Sequence, residues 1–94
     1  MEERNIEQKL RTTIKKMGGL CLKFVSPSLD GVPDRIILLP GGYVGFAEIK
    51  STERKPRPLQ LRRKRQLERL GFSVFIIDRP EQIGEVLDEI KSQM

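Results

Sequence analysis

The first seventeen positions alternate apolar and polar residues with the period of a helix. Ile6, Leu10, Thr13, Ile14 and Met17 follow the spacing i, i+4, i+7, i+8, i+11, which places them in one mostly apolar stripe. The pattern predicts a helix over residues 2–17. Gly18-Gly19 follows at once and is expected to end it, because glycine readily adopts the conformation found just after a helix.

The middle of the chain has the pattern of three strands. Residues 20–25 are apolar except for Lys23 and predict a first strand, and residues 26–33 predict a loop rich in turn formers. Residues 36–39 form a continuous apolar run, typical of a strand covered on both faces. Pro-Gly-Gly at 40–42 predicts a hairpin turn, and residues 43–50 predict the partner strand.

The remaining residues predict a helix, a strand and a last helix. A basic loop at 51–58 precedes a helix over 59–70, whose expected buried residues are Leu59, Leu67 and Leu70. Residues 72–78 predict a strand, and a last helix runs from Pro80 to about Lys91. The order α-β-β-β-α-β-α, with a meander and then a crossover helix, predicts one α/β domain over residues 1–94. The inward positions of the last helix are Ile83, Val86, Leu87 and Ile90.

Charge adds a candidate partner. The net charge is +5 and the isoelectric point about 9.7, which favours an acidic partner such as nucleic acid. Residues 54–65 contain seven basic residues and no acid. These residues could contact phosphates, or could simply form a solvated face. They are Arg54, Lys55, Arg57, Arg62, Arg63, Lys64 and Arg65, and we add Lys23 and Arg35 from the strands to the predicted nucleic-acid-binding set.

Two residue types are scarce, and their scarcity limits the chemistry. The chain has no histidine and one cysteine, Cys21, so catalysis by a histidine triad and an ordinary structural zinc site are both excluded. A single cysteine also fits a reducing cytoplasm. Any metal is expected to be a hard cation bound by oxygen, namely Mg²⁺ or Mn²⁺.

The predicted hairpin places charged residues together. Because side chains alternate along a strand, Glu48 and Lys50 share one face. If Pro40-Gly41-Gly42 forms a three-residue loop, Leu39 pairs with Tyr43 and Asp34 lies opposite Glu48. Opposed side chains have β-carbons about 4.5–5.5 Å apart, so the two carboxylates could bind one cation. The alternative is a frayed hairpin end with ordinary surface ion pairs.

Asp34 together with Glu48-Ile49-Lys50 resembles the motif of the PD-(D/E)xK nuclease superfamily, and the chain resembles its virus-type replication–repair nuclease (VRR-NUC) family. The similarity extends over NIEQKL, GGLCLKFVSP, GVPDRIILLPGG, FAEIK, KPRPLQ and LGFSVFIID in this order. It implies a restriction-endonuclease-like αβββαβ core, with a mixed four-stranded sheet flanked by helices and an extra C-terminal helix. The implied metal ligands are Asp34, Glu48 and the backbone carbonyl of Ile49.

The resemblance also implies the other site residues. Lys50 would be the catalytic lysine and Gln60 the glutamine of the second helix, where it could orient Lys50 or water, or could be a plain surface residue. Glu7 best matches the acid of the first helix and would act through water on the metal. It lies about 20° from Ile14 at 100° per residue, at the edge of the apolar stripe. Glu3 is the competing acid.

The implied function is a Mg²⁺-dependent DNA endonuclease that selects its substrates by the structure of the DNA. Small members of the family resemble Holliday-junction resolvases, so the expectation is a homodimer acting on four-way DNA junctions, joined through the last helix or an exchanged segment. A phage or prophage source in the cytoplasm of a bacterial host is implied in the same way. The alternatives are a flap- or fork-directed nuclease, a non-catalytic nucleic-acid-binding module, a restriction-type nuclease, and a basic scaffold protein that binds no metal.

Overall fold

Seven elements follow one another in the predicted order in the computed structural model, which describes residues 2–93. The α/β fold with a mixed four-stranded sheet and three helices is confirmed. None of the helices within these residues has the length and apolar character that a membrane span requires. The elements are α1 (Glu3–Lys16), β1 (Leu20–Lys23), β2 (Arg35–Leu39), β3 (Tyr43–Ile49), α2 (Pro58–Arg69), β4 (Ser73–Ile77) and α3 (Gln82–Lys91).

The strands lie in the order β1-β2-β3-β4. The first three form an antiparallel meander, and β4 returns parallel to β3 after the crossover through α2. Leu39 pairs with Tyr43, which confirms the three-residue loop. Gly41 and Gly42 both have positive φ angles, of 96° and 83°, a conformation that glycine adopts without steric cost. The hairpin register therefore follows from the turn.

The hydrophobic core lies between one face of the sheet and two helices, α1 and α3. Ile6, Leu10 and Ile14 of α1 are fully buried, as the helical spacing predicted. α3 approaches β3 so closely that a β-carbon at Gly45 would lie 2.5 Å from Cδ1 of Ile90. The rest of this core comes from the sheet and from α3, namely Ile37, Leu39, Ala47, Ile49, Ile77, Ile83, Val86, Leu87 and Ile90.

The prediction for the second helix was wrong in its buried residues. No residue of α2 is buried; Leu59 and Leu70 are 41% and 70% exposed, and Leu67 is only partly buried. The reason is that charged side chains occupy half of the helix and leave only a narrow apolar strip. α2 lies against the opposite face of the sheet from α1, near β4, and polar contacts hold much of it in place.

Several strand boundaries also differ from the prediction by one or two residues; β3 ends at Ile49, one residue early, and β4 is one residue shorter at each end. β1 ends at Lys23, two residues before the predicted end, and β2 begins at Arg35, one residue before the predicted start. The backbone N–H of Phe24 still donates to the carbonyl oxygen of Asp34 at 2.8 Å. Beyond this bond the chain enters a turn-rich loop. Asp34 is therefore held at the start of β2 even though it lies just outside the strand.

Candidate active site

Asp34 and Glu48 meet where β2 begins and β3 ends. Arg35 pairs with Ala47, so continuing the register by one residue places Asp34 opposite Glu48. The backbone N–H of Ile49 donates to Oδ2 of Asp34 at 2.9 Å. The Asp34 side chain is thus fixed to β3, although the residue itself is exposed. The hairpin brings the two carboxylates together as the three-residue turn requires.

Glu48 is a buried carboxylate, with 4% of its surface exposed. Its Oε2 accepts a hydrogen bond of 2.5 Å from Nε2 of Gln60 and lies 3.2 Å from Nζ of Lys50. Its Oε1 is shielded from solvent and has no hydrogen-bond partner among residues 2–93. Burial raises the pKa of Glu48, the negative charge of Asp34 raises it further, and the hydrogen bond and charge of Lys50 oppose the rise.

Lys50 is nearly as enclosed as its partner. Its side chain is 14% exposed and forms an ion pair with Glu48. The backbone N–H of Lys50 donates to the carbonyl oxygen of Ile77 at 2.9 Å, which ties the residue to β4. The ammonium group of Lys50 is therefore held by the sheet beside the carboxylate of Glu48.

Gln60 connects the start of α2 to Glu48. Its side-chain Oε1 accepts from the backbone N–H of Arg57 at 2.9 Å, while its Nε2 donates to Glu48. A glutamine at the third helical position commonly caps the N-terminal turn in this way. The same side chain therefore stabilises the first turn of α2 and fixes Oε2 of Glu48.

The loop before Asp34 packs tightly on α2. Gly31 has a φ of 80°, and a β-carbon there would lie 2.7 Å from Cγ of Leu59 and 3.2 Å from Cγ of Arg63. Nε of Arg63 donates to the carbonyl oxygen of Asp30 at 2.6 Å. Glycine is needed here both for its backbone conformation and for the close approach. α2 thus positions both the loop that leads to Asp34 and the carboxylate of Glu48.

A cleft of about 360 Å³ opens beside Asp34, on the side of α1. Glu7 lines it and forms an ion pair with Arg35, whose side chain is 12% exposed. The structure therefore places Arg35 against an acid of α1, whereas Arg35 was predicted from the sequence to bind nucleic acid. The complete lining is Glu3, Arg4, Glu7, Lys23, Phe24, Asp34, Arg35 and Ile49.

Glu3 and Arg4 are two further residues of this cleft that bear on the sequence predictions. Glu3 lines the cleft as Glu7 does, so both proposed acids of α1 lie on the side of Asp34. Arg4 lies among them and was missed by the sequence analysis. Its position three residues before Glu7 places it on the same side of the helix, and that spacing was the available signal.

The basic residues of positions 54–65 have different surroundings. Lys64 forms an ion pair with Glu68 at 2.8 Å, and Arg63 is bonded to Asp30. The other five are exposed and lie in the loop before α2 or on the surface of α2. These exposed residues are Arg54, Lys55, Arg57, Arg62 and Arg65. Lys23, at the end of β1, is exposed as well.

The donor set suits Mg²⁺ better than a metal that requires many protein ligands. No group of three histidine, cysteine, aspartate or glutamate side chains within residues 2–93 could hold an ion. Asp34, Glu48 and the Ile49 carbonyl supply oxygen, and Oε1 of Glu48 is a buried acceptor that lacks a donor. Mg²⁺ usually takes one or two carboxylates and keeps several waters, so these oxygens fit it.

The raised pKa of Glu48 gives a testable pH dependence. In EDTA, we expect the free energy of unfolding to fall as pH rises from the usual glutamate pKa through the higher pKa of folded Glu48. In this window the folded protein binds more protons than the unfolded chain, so stability is greatest below it. Urea unfolding across pH measures the effect. Glu48→Gln should lack this component, and an identical pH dependence in both proteins would contradict the assignment.

Comparisons with known proteins give similarity in sequence and in fold. No protein-family model matches the chain. A curated relative, "Putative nuclease p44" of Acyrthosiphon pisum secondary endosymbiont phage 1, is 44% identical over 78 residues, which cover 83% of this chain and 84% of the relative. A solved structure described as "VRR_NUC domain" superposes with a TM-score of 0.84 at 26% identity, covering 94% of this chain and 97% of that one.

Proposed function

Because the chain belongs to the virus-type replication–repair nuclease (VRR-NUC) family of the PD-(D/E)xK nucleases, we propose that it is a Mg²⁺-dependent endonuclease that hydrolyses phosphodiester bonds in structured DNA. The observation that supports this most directly is the buried Glu48, whose Oε1 has no donor among residues 2–93. An isolated buried carboxylate oxygen is costly. A cation between Glu48 and Asp34 would remove that cost.

The residues that would hold the ion are Asp34, Glu48 and the backbone carbonyl of Ile49. Mn²⁺ has the same preference for oxygen and could replace Mg²⁺. When bound, the ion would supply Lewis-acid stabilisation of the phosphate and a more acidic water. Asp34 is kept in place by the N–H of Ile49, and Glu48 by Gln60.

Lys50 is the residue we assign to transition-state stabilisation. Attack on a phosphodiester adds negative charge to the phosphate oxygens, and a preorganised cation lowers the energy of that state. The ammonium group is already positioned by Glu48 and by the backbone bond to Ile77. Lys50 could act on the phosphate or orient the attacking water.

Glu7 is proposed as a supporting acid that acts through water. Its ion pair with Arg35 holds the carboxylate at the cleft beside Asp34. Arg35 is accordingly assigned to positioning Glu7. The exposed basic residues around α2 are assigned to phosphate contacts, which give affinity without sequence preference.

The preferred substrate we propose is a four-way DNA junction cut by a homodimer. Paired nicks in a symmetric junction require two sites related by a twofold axis, and one domain of this kind has one site. The apolar residues of α3 lie in the core, so that face of the last helix is not the dimer surface. We further propose that the protein acts in the cytoplasm of a bacterial host on DNA of a phage, by analogy with its phage relative.

A cleavage panel tests this proposal. Four-way junctions, flaps, forks and plain duplex are incubated with Mg²⁺ or Ca²⁺. We expect two coordinated nicks on the junction with Mg²⁺, and binding with little cleavage in Ca²⁺, whose coordination is looser. Light scattering should find a dimer at micromolar concentration.

Three of the alternatives would each give a distinct result in these experiments or in calorimetry. A monomer that cuts flaps or forks better than junctions would replace the resolvase with a flap- or fork-directed nuclease. DNA binding with no cleavage in either Mg²⁺ or Mn²⁺ would indicate a non-catalytic binding module. Calorimetry that detects no divalent ion binding would favour the scaffold protein.

A further inference from the structure

A groove of about 430 Å³ lies between α1 and the free edge of β1. Arg11 and Lys15 line it from the helix, and no acidic side chain lines it. β1 is an edge strand that pairs only with β2, so nothing in the described fold covers this side. The complete lining is Gln8, Arg11, Thr12, Lys15, Gly19, Leu20, Cys21 and Leu22.

This groove lies next to the active-site cleft. The cleft is lined by Arg4 and Glu7 of α1 together with Lys23 of β1. Farther along, the groove is lined by later residues of α1, by the earlier residues of β1 and by Gly19 just before it. The helix and the strand run in opposite directions here, so the cleft beside Asp34 and the groove lie end to end along them.

Three cations of α1 lie along the cleft and the groove. Arg4, Arg11 and Lys15 are spaced i, i+7, i+11, which places them within about 20° of Arg4 around the helix at 100° per residue. They span about 16 Å along the helix axis at 1.5 Å per residue. All three are exposed, and across residues 2–93 none of them forms an ion pair of the kind that binds Arg35 to Glu7. Their charges remain available to an anionic partner.

We propose that the α1–β1 groove binds the phosphate backbone of DNA next to the scissile phosphate, through Arg4, Arg11 and Lys15. The inference rests on the proposed nuclease function and adds a second contact surface to it. Phosphates of one strand are about 3.4 Å apart along the duplex, so a 16 Å row of cations matches about five nucleotides. The basic residues of α2 lie on the other face of the sheet, so the DNA would be held on both sides of the cleft.

Two double variants of one helix test the proposal. Arg11→Gln with Lys15→Gln removes two charges from the groove. Lys9→Gln with Lys16→Gln removes two charges from the same helix. These lysines lie at least about 100° around the helix from Arg11 and Lys15, and they line a different surface groove. Net charge changes equally in both variants. Binding of a labelled four-way junction is measured by anisotropy in Ca²⁺ over a series of salt concentrations.

The groove variant should lose the salt dependence of about two phosphate contacts. The slope of log K against log salt, which is negative, should become less steep by about 1.8, and binding at 0.1 M salt should weaken at least about tenfold. The matched variant should bind as the unaltered protein does. A variant with Arg11→Lys and Lys15→Arg keeps both charges and should restore the slope, which separates a charge effect from a folding defect.

DNA length provides the second measurement. When the substrate lacks the roughly five nucleotides next to the cut that would occupy the groove, the difference in binding between the groove variant and the matched control should vanish. If unaltered protein binds and cuts DNA while both double variants behave alike, the groove proposal is overturned and the nuclease assignment stands. If unaltered protein binds no DNA at any salt concentration, the proposed function itself fails.

Discussion

Replacing Glu48 or Asp34 by alanine is expected to reduce DNA cleavage to background while the protein stays folded. Each change removes a proposed charged oxygen ligand, and neither residue belongs to the hydrophobic core. Glu48→Gln is the sharper variant, because it preserves shape and removes only the charge. Single-turnover cleavage of a four-way junction in Mg²⁺ measures the loss, and calorimetry should show that Mg²⁺ binding is lost with it.

Thermal stability and DNA binding serve as controls for these variants. The pKa of Glu48 is raised in the folded protein, so folding favours the uncharged side chain, and Glu48→Gln should leave the melting temperature in EDTA near neutral pH unchanged or raised. DNA binding should persist or tighten, because a negative charge leaves the neighbourhood of the phosphate. Cleavage by either alanine variant at the rate of unaltered protein would show that the metal site is assigned wrongly.

Lys50→Ala is expected to lower the cleavage rate by about 10²-fold or more, the usual effect of losing one preorganised electrostatic group. Mg²⁺ affinity near neutral pH should change little, because Lys50 is not a ligand. Rates at saturating Mg²⁺ measure the effect. Lys9→Ala, which removes an exposed lysine of α1, is the matched control.

The pH profile adds a second readout for Lys50. Its hydrogen bond and charge hold the pKa of Glu48 lower than burial alone would. Without Lys50, Glu48 should lose its proton at a higher pH, and the acid limb of Mg²⁺ binding should move in that direction. If the variant binds Mg²⁺ more weakly but keeps its cleavage rate at saturating Mg²⁺, Lys50 only adjusts the metal affinity of the site and is not needed for the chemical step.

The hairpin could be predicted because local rules determine it. The positive φ angles of Gly41 and Gly42 fit the short loop, and the loop determines the pairing of Leu39 with Tyr43. The alternation of side chains then places Glu48 and Lys50 on one face. No knowledge of distant residues was needed for the two carboxylates to be brought together.

The contacts of α2 could not be predicted, because they join residues far apart in sequence. Gln60 bonds Glu48 across twelve residues, and Arg63 bonds Asp30 across thirty-three. The leucines of α2 were expected to be buried because they are its apolar residues, but a local pattern does not show how closely a helix packs on the sheet. A helix in which charged residues surround a few leucines can be held by polar bonds at one end.

The pairing of Glu7 with Arg35 was also beyond sequence patterns. The helical spacing correctly indicated that Glu7 lies near the sheet, at the edge of the apolar stripe. The predicted second strand began at Ile36, so Arg35 was not assigned to a face. In the structure Arg35 is the first residue of β2 and lies opposite Ala47, and its side chain reaches α1.

The absence of buried side chains in α2 gives this helix a lower local stability than α1 or α3. Elements with few buried apolar contacts open without global unfolding, and their amide hydrogens exchange faster. Each opening of α2 would release Gln60 from Glu48 and the Asp30 carbonyl from Arg63. The positions of Glu48 and of the loop before Asp34 are therefore fixed only in the fraction of molecules in which α2 is docked. DNA bound to the basic surface of α2 would raise that fraction, so substrate would help to assemble the site that cuts it.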